Sequence, residues 1–153
     1  MRLLAERYDR GDGVSIDKKT AWQWLQKAAN AGDTVAMNEA GMHLDRGDVV
    51  AKDESAAARY FNLSAYGNDA NGMFNLALAL ANGHGVEKDE QLAALWYQRA
   101  GERGTATARK NLGLLSLDGR GVDPEPAASR APWRRGAAAA DRGRRAHRQF
   151  PAD

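Results

Sequence analysis

The chain has 153 residues, 22 basic against 20 acidic side chains, and no cysteine. A net charge of +2 gives no global field for nucleic acid or a membrane surface, and the missing thiols remove disulfides, thiolate metal sites and cysteine nucleophiles together. No apolar run approaches the ~18 residues of a membrane span, and Met1-Arg2-Leu3-Leu4-Ala5-Glu6-Arg7 holds no apolar stretch long enough for a signal peptide. The expected location is therefore cytoplasmic, or periplasmic or secreted if the N-terminus is truncated.

Gly11, Gly47, Gly83 and Gly119 stand 36 residues apart, and Asp17, Asp53 and Asp89 keep the same step. Fixed self-similarity at this length marks a stacked repeat array, in which each unit buries its apolar face only against its neighbours. The expected units are about 1–33, 34–68, 69–105 and a partial 106–122.

The first half of each unit reads as a helix that ends at the repeated Gly, which takes a left-handed conformation as the C-terminal cap. Two turns before the stop a small residue recurs (Ala5, Gly41, Ala77, Gly113), preceded by Leu4, Ala40, Leu76 and Leu112 and followed three positions on by Tyr8, Leu44, Leu80 and Ser116. At 3.6 residues per turn these columns share one face and form the expected packed seam. The loop then carries Gly13-Val14, Val49-Val50, Gly85-Val86 or Gly121-Val122, and its Val is expected to tuck under the helix pair.

A second helix follows from Asp17, Asp53 and Asp89, whose carboxylates accept from free N–H groups of the first turn. Its apolar columns are Ala21, Ala57 and Ala93; Trp24, Tyr60 and Trp96; Leu25, Phe61 and Tyr97; and Ala28, Ser64 and Ala100. Gly32, Gly67 and Gly104 are the expected stops. This i, i+3, i+4, i+7 spacing is that of an amphipathic helix. The expected fold is all-α: a right-handed α-α superhelix, a solenoid of antiparallel helix pairs about a dozen residues long per helix.

These columns resemble the Sel-one-like repeat (SLR) family, relatives of the tetratricopeptide repeat. The family pattern Leu-Gly-x-x-Tyr-x-x-Gly-x-Gly-Val-x-x-Asp, then Ala-x-x-Trp-Tyr-x-x-Ala-Ala-x-x-Gly, is matched across roughly residues 1–122, best from Leu76-Ala77 through Gly104. Val49 in place of the loop Gly, Ser116 in place of the aromatic, and a one-residue shift near Tyr66-Gly67 depart from it. The resemblance implies a protein-interaction scaffold or adaptor that performs no chemistry of its own. A second reading is a regulatory or envelope-stress adaptor fragment of a larger SLR protein. Some cysteine-rich relatives have been linked to β-lactam binding or hydrolysis, an activity that this chain, without Cys, does not inherit.

Beyond Val122 the pattern stops. All four Pro lie there, no Leu, Ile, Val, Met or Tyr does, and seven Arg face four acids. Pro132 falls where Trp96 sits one repeat earlier, and an interior Pro costs about 3 kcal/mol. Residues 123–153 therefore read as a low-complexity Arg/Ala/Pro-rich tail, disordered or a non-native end. Met1 aligns with Met37 and Met73, so the first helix lacks its opening turn and the chain reads as a fragment of a longer solenoid.

Nothing in the pattern assembles a catalytic centre, a cofactor cradle or a metal site. His43, His84 and His147 have no second ligand at metal spacing and read as surface or loop residues. The Gly-x-Gly loops lack a following Gly-Lys-Ser/Thr. The Asn62-Leu63-Ser64 sequon is discounted because Ser64 belongs to a buried column. The row opposite the packed seam is more informative. In related helical-pair solenoids this row lines the concave surface, and here it holds Asn38, Met42 and Arg46; Phe74, Leu78 and Asn82; and Lys110 and Leu114. Arg2, Glu6 and Arg10 begin it, so its middle column turns from charged to apolar along the array: Glu6, Met42, Leu78, Leu114. Apolar side chains exposed in a groove point to a partner, here a protein segment, peptide or helix. Only Trp133 and Phe150 accompany the tail arginines, which argues against nucleic acid. The last regular helix has no polar cap after it, so weak self-association through the open solenoid end is expected.

Overall fold

A computed structural model describes residues 1–120; the expectations for Gly121-Val122 and for the tail lie outside the described residues. Among the described residues there are seven α-helices and no strand: α1 Arg2–Arg10, α2 Lys18–Asn30, α3 Thr34–Arg46, α4 Glu54–Tyr66, α5 Ala70–Asn82, α6 Glu90–Glu102 and α7 Ala106–Leu117. They stack as pairs in chain order, α1 on α2, α3 on α4 and α5 on α6, with α2 packed on α3, α4 on α5 and α6 on α7. The chain is an all-α solenoid of helix pairs. α3 also meets α5 directly, which places the first helices of these units together as one layer.

Local chemistry fixes the ends of the helices. Asp17 accepts from the N–H groups of Lys19 and Thr20 at 3.1 Å, Asp53 from Ala56 at 2.9 Å and Asp89 from Leu92 at 2.9 Å. Each of the three also donates its own N–H back to the first helix, to the carbonyls of Tyr8, Leu44 and Leu80, at 2.9 Å every time. Gly11, Gly47 and Gly83 are the left-handed caps, with φ between 68 and 79°. A second cap column went unread in the sequence: Asp33 accepts from Val35 and Ala36 at the start of α3, and Asp69 from Gly72 at the start of α5.

One expected stop is corrected. The left-handed residue after α4 is not Gly67, whose φ is −76°, but Asn68 at φ 72°. Asn68 is 36 residues from both Gly32 and Gly104, and Asn is among the few non-glycine residues that tolerate this region because its amide bonds locally. Gly67 serves a different need: a Cβ there would lie 2.2 Å from the Thr34 Cγ2, so its hydrogen lets α3 begin against the end of α4.

The core forms two clusters; the smaller gathers Ala5, Leu25, Ala28, Ala29, Ala36 and Ala40, and the larger lies further along the array. Phe61, Leu76, Leu80, Trp96 and Tyr97 are buried with the small columns Ala57, Ala77, Ala93 and Ala100, and each large side chain so buried contributes about 1.5–3 kcal/mol. Trp96 is enclosed because Tyr66 of the preceding second helix meets it edge-on at 5.2 Å. One repeat earlier Asn30 stands where Tyr66 does, and Tyr60 is only half-buried. At Ser64 the column carries a hydroxyl in place of Ala28 and Ala100. The Ser64 hydroxyl donates to the Thr34 carbonyl at 2.7 Å, and opposite it Gly72 replaces the Ala36 and Ala108 of the other units. The seam ends at α7, where Gly113 and Ser116 are exposed instead of packed, because no described helix follows to cover them.

Candidate functional site

The row expected to bind a partner is partly open and partly closed. Leu78 and Leu114 are exposed, at 39% and 51%, on equivalent positions of α5 and α7. Arg46, Asn82 and Lys110 are exposed as well, Asn82 donating to the Leu78 carbonyl of its own helix at 3.0 Å. Met42 and Phe74 are half-buried against the main core, Phe74 with its ring 5.8 Å from Tyr97. Asn38 is not on the open row at all: it is 4% exposed, and its Oδ1 accepts from Asn75 Nδ2 of the next unit at 2.8 Å. The physical reason is lateral. A residue at this angle on α3 faces the flank of α5, and burying an amide there requires the amide partner that Asn75 supplies. The open face is thus Met42, Leu78 and Leu114, flanked by Arg46, Asn82 and Lys110.

Towards α1 the same layer is ionic. Arg2 bonds Glu6 at 2.8 Å and reaches Asp33 at 3.3 Å, tying α1 to the start of α3. Between α1, α2 and α3 lies a cleft of about 150 Å³ lined among others by Glu6, Lys18, Trp22, Glu39, His43 and Val49. His43, expected as a plain surface residue, is a wall of this cleft; its Nδ1 sits 2.8 Å from an Asp48 carboxylate oxygen and its ring meets Trp22 edge-on at 6.2 Å. Burial raises the Glu39 carboxyl above its usual range; Arg2 and His43 oppose that shift, while Glu6 and Asp33 add to it. At the other end of the array Lys88 and Arg120 both bond Glu90, and these bonds hold its carboxyl at about 2.

Among the described residues no group of His, Asp or Glu is arranged to hold a metal ion, and no helix is long and apolar enough to cross a membrane. Capped antiparallel helix pairs, small-residue seams and a 36-residue step define the class of helical-pair repeat proteins. Within it the chain belongs to the Sel1 repeat family, whose sequence profile matches residues 1–33, 34–69, 70–105 and 106–131. Sel1 repeat proteins generally mediate protein–protein interactions and typically work as non-enzymatic scaffolds.

Among solved structures the chain is similar to a Sel1 repeat protein from Oxalobacter formigenes, with 36% identity and a TM-score of 0.74 over 81% of this chain and 51% of that one. A protective antigen present in uropathogenic Escherichia coli strains, displaying an SLR fold, matches with 31% identity and a TM-score of 0.76 over 79% of this chain and 26% of that one. Helicobacter pylori cysteine rich protein B matches with 29% identity and a TM-score of 0.61, covering 63% of this chain and 73% of that one. The chain thus spans about half the length of the first and a quarter of the second. A comparison with curated protein sequences gives no match.

Proposed function

We propose that the chain is an interaction scaffold that holds a peptide or helix of a protein partner along the open face of its first helices, with Leu78 and Leu114 as apolar anchors. The observation that carries the reading is the pair itself. Two leucines one repeat apart, on equivalent positions of α5 and α7, stay 39% and 51% exposed. Two anchors at repeat spacing suit a segment lying across the helices, and apolar side chains in such a position favour a partner over water. The exposed Arg46 and Lys110 beside them would orient an acidic flank.

Fully burying a leucine is worth about 1.5–3 kcal/mol, so covering the exposed fractions of Leu78 and Leu114 is worth about 1.4–2.7 kcal/mol together, or ~10–100-fold in affinity. Peptides selected from a displayed library against the wild-type chain supply the ligand. The variant Leu78→Ser/Leu114→Ser should lose that factor with its helical content intact. Phe74→Ser is the wrong probe, since Phe74 packs into the core and its loss would unfold α5 and α6 against one another.

A further inference from the structure

Three departures from the 36-residue pattern, each unremarked by the groove, meet at one place. The loop position that is Gly85 in the third unit is Val49 in the second. Gly85 has φ 67° and sits so close on the start of α4 that a Cβ would be 2.0 Å from the Glu54 carbonyl oxygen. A Cβ at position 49 would block the equivalent approach to Lys18, the counterpart of Glu54. Both Val49 and Lys18 line the cleft. On α2, Trp22 occupies the column of Ala58 and Ala94 and forms one wall. On α3, Glu39 occupies the column of Asn75 and Asn111 and points a carboxylate where those units have a bonded amide.

We infer that this cleft is a subsite for one cationic side chain, the lysine ammonium or arginine guanidinium of a partner chain. Its volume, about 150 Å³, matches the space that holds a benzene-sized guest and is well below that of a cofactor or drug-sized ligand. The charges select a cation. Lys18 is tied to Asp9 at 2.6 Å, Arg2 to Glu6 and Asp33, and His43 to Asp48, while Arg10 is exposed at the rim where solvent screens it. Glu39 is half-buried and makes no hydrogen bond or ion pair among the described residues. A guest ammonium beside Glu39 would supply the missing ion pair, with the indole of Trp22 as a cation–π wall. His43, a wall of the cleft, is held by Asp48 and meets Trp22 edge-on.

The inference rests on the scaffold reading only for the source of the side chain; the site itself is tested without a partner. The full chain is titrated with Nα-acetyl-lysine-N-methylamide while the Trp22 indole N–H and Val49 methyl signals are followed by NMR. Saturable shifts are expected with a dissociation constant on the order of 1–10 mM. The uncharged Nα-acetyl-norleucine-N-methylamide should leave both signals in place. Glu39→Gln should weaken lysine-amide binding at least ~10-fold, and Val49→Gly, which lets the loop seat, should abolish it with helicity unchanged. Equal binding of the norleucine amide, undiminished binding by Glu39→Gln, or no saturable shift would overturn the subsite. Putrescine binding more tightly than the lysine amide would overturn the partner-chain source in favour of a free diamine. None of these results bears on Leu78 and Leu114, so the subsite and the groove fail separately.

Discussion

Ser64 and Gly72 form the one place where the small-residue seam is rewritten in both partners, and it makes a sharp test of the repeat logic. In the first and third units the facing pair is alanine on alanine, Ala28 with Ala36 and Ala100 with Ala108, all at most 2% exposed. In the second pair Ser64 faces Gly72, and a Cβ on Gly72 would come within 2.2 Å of the Ser64 Oγ and 2.6 Å of its Cβ. The hydroxyl cannot swing away cheaply, because it donates to the Thr34 carbonyl at 2.7 Å and lies 3.3 Å from the Asp69 carboxylate. Gly72→Ala gains up to about 1 kcal/mol of helix propensity but incurs about 1–3 kcal/mol of overpacking and about 1 kcal/mol of lost hydrogen bond, a net loss of about 2 kcal/mol. Ser64→Ala alone costs about 1 kcal/mol for the same bond. The double variant restores the alanine pair of the flanking units, so it should be at most ~1 kcal/mol below wild type, giving a coupling of about 2 kcal/mol. Urea unfolding of the four proteins, followed by far-ultraviolet circular dichroism, reads this directly. Additivity of the two single losses to within about 0.5 kcal/mol would refute the argument that the pair is a compensated contact.

Three other outcomes follow from single sites. Glu39 has its carboxyl raised above the ordinary 4.5 by burial, so ionising it opposes folding above the folded-state value, and that opposition disappears below 4.5. Glu39→Gln should therefore raise the unfolding temperature at neutral pH, with the gain shrinking as pH falls through the raised folded-state value and gone below 4.5; a pH-independent gain contradicts it. Asn68, at φ 72°, should accept Gly within about 0.5 kcal/mol but lose about 1–2 kcal/mol as Val, measured by thermal unfolding; equal effects of the two would contradict the left-handed cap. Leu117 is 85% exposed at the end of α7, beside Leu114, so light scattering should show concentration-dependent association that Leu117→Lys reduces; a strict monomer at high concentration contradicts it.

The helices were legible from sequence because their ends are set by local chemistry. A carboxylate that caps its own first turn and a glycine that turns left-handed need no distant partner, and both recur every 36 residues. Asp33 and Asp69 carried the same signal, an acid 36 residues from its counterpart just before an apolar run, and would have been found by extending the cap search to the first helices. Gly67 misled because a glycine advertises freedom of backbone and smallness alike; here it is smallness against Thr34 that matters, and Asn68 supplies the turn. The open row was legible by angle but not by depth. Asn38 is closed off by Asn75, 37 residues away, and no periodicity within one helix reports what the next unit places beside it. The cleft was least legible of all. Val49 was visible as a departure, but its consequence depends on a contact between a loop and the preceding second helix that only Gly85 reveals.

The scaffold reading stands or falls on whether the exposed leucines of the first helices carry binding. Peptides selected against the wild-type chain, titrated by calorimetry against Leu78→Ser/Leu114→Ser and against Leu63→Ser, decide it; Leu63 is a comparably exposed leucine, at 56%, on the second helix α4. The account predicts a loss of ~10–100-fold for the first variant and none for the second, both with wild-type helicity. Undiminished affinity in the double variant, or an equal loss in Leu63→Ser, would contradict it.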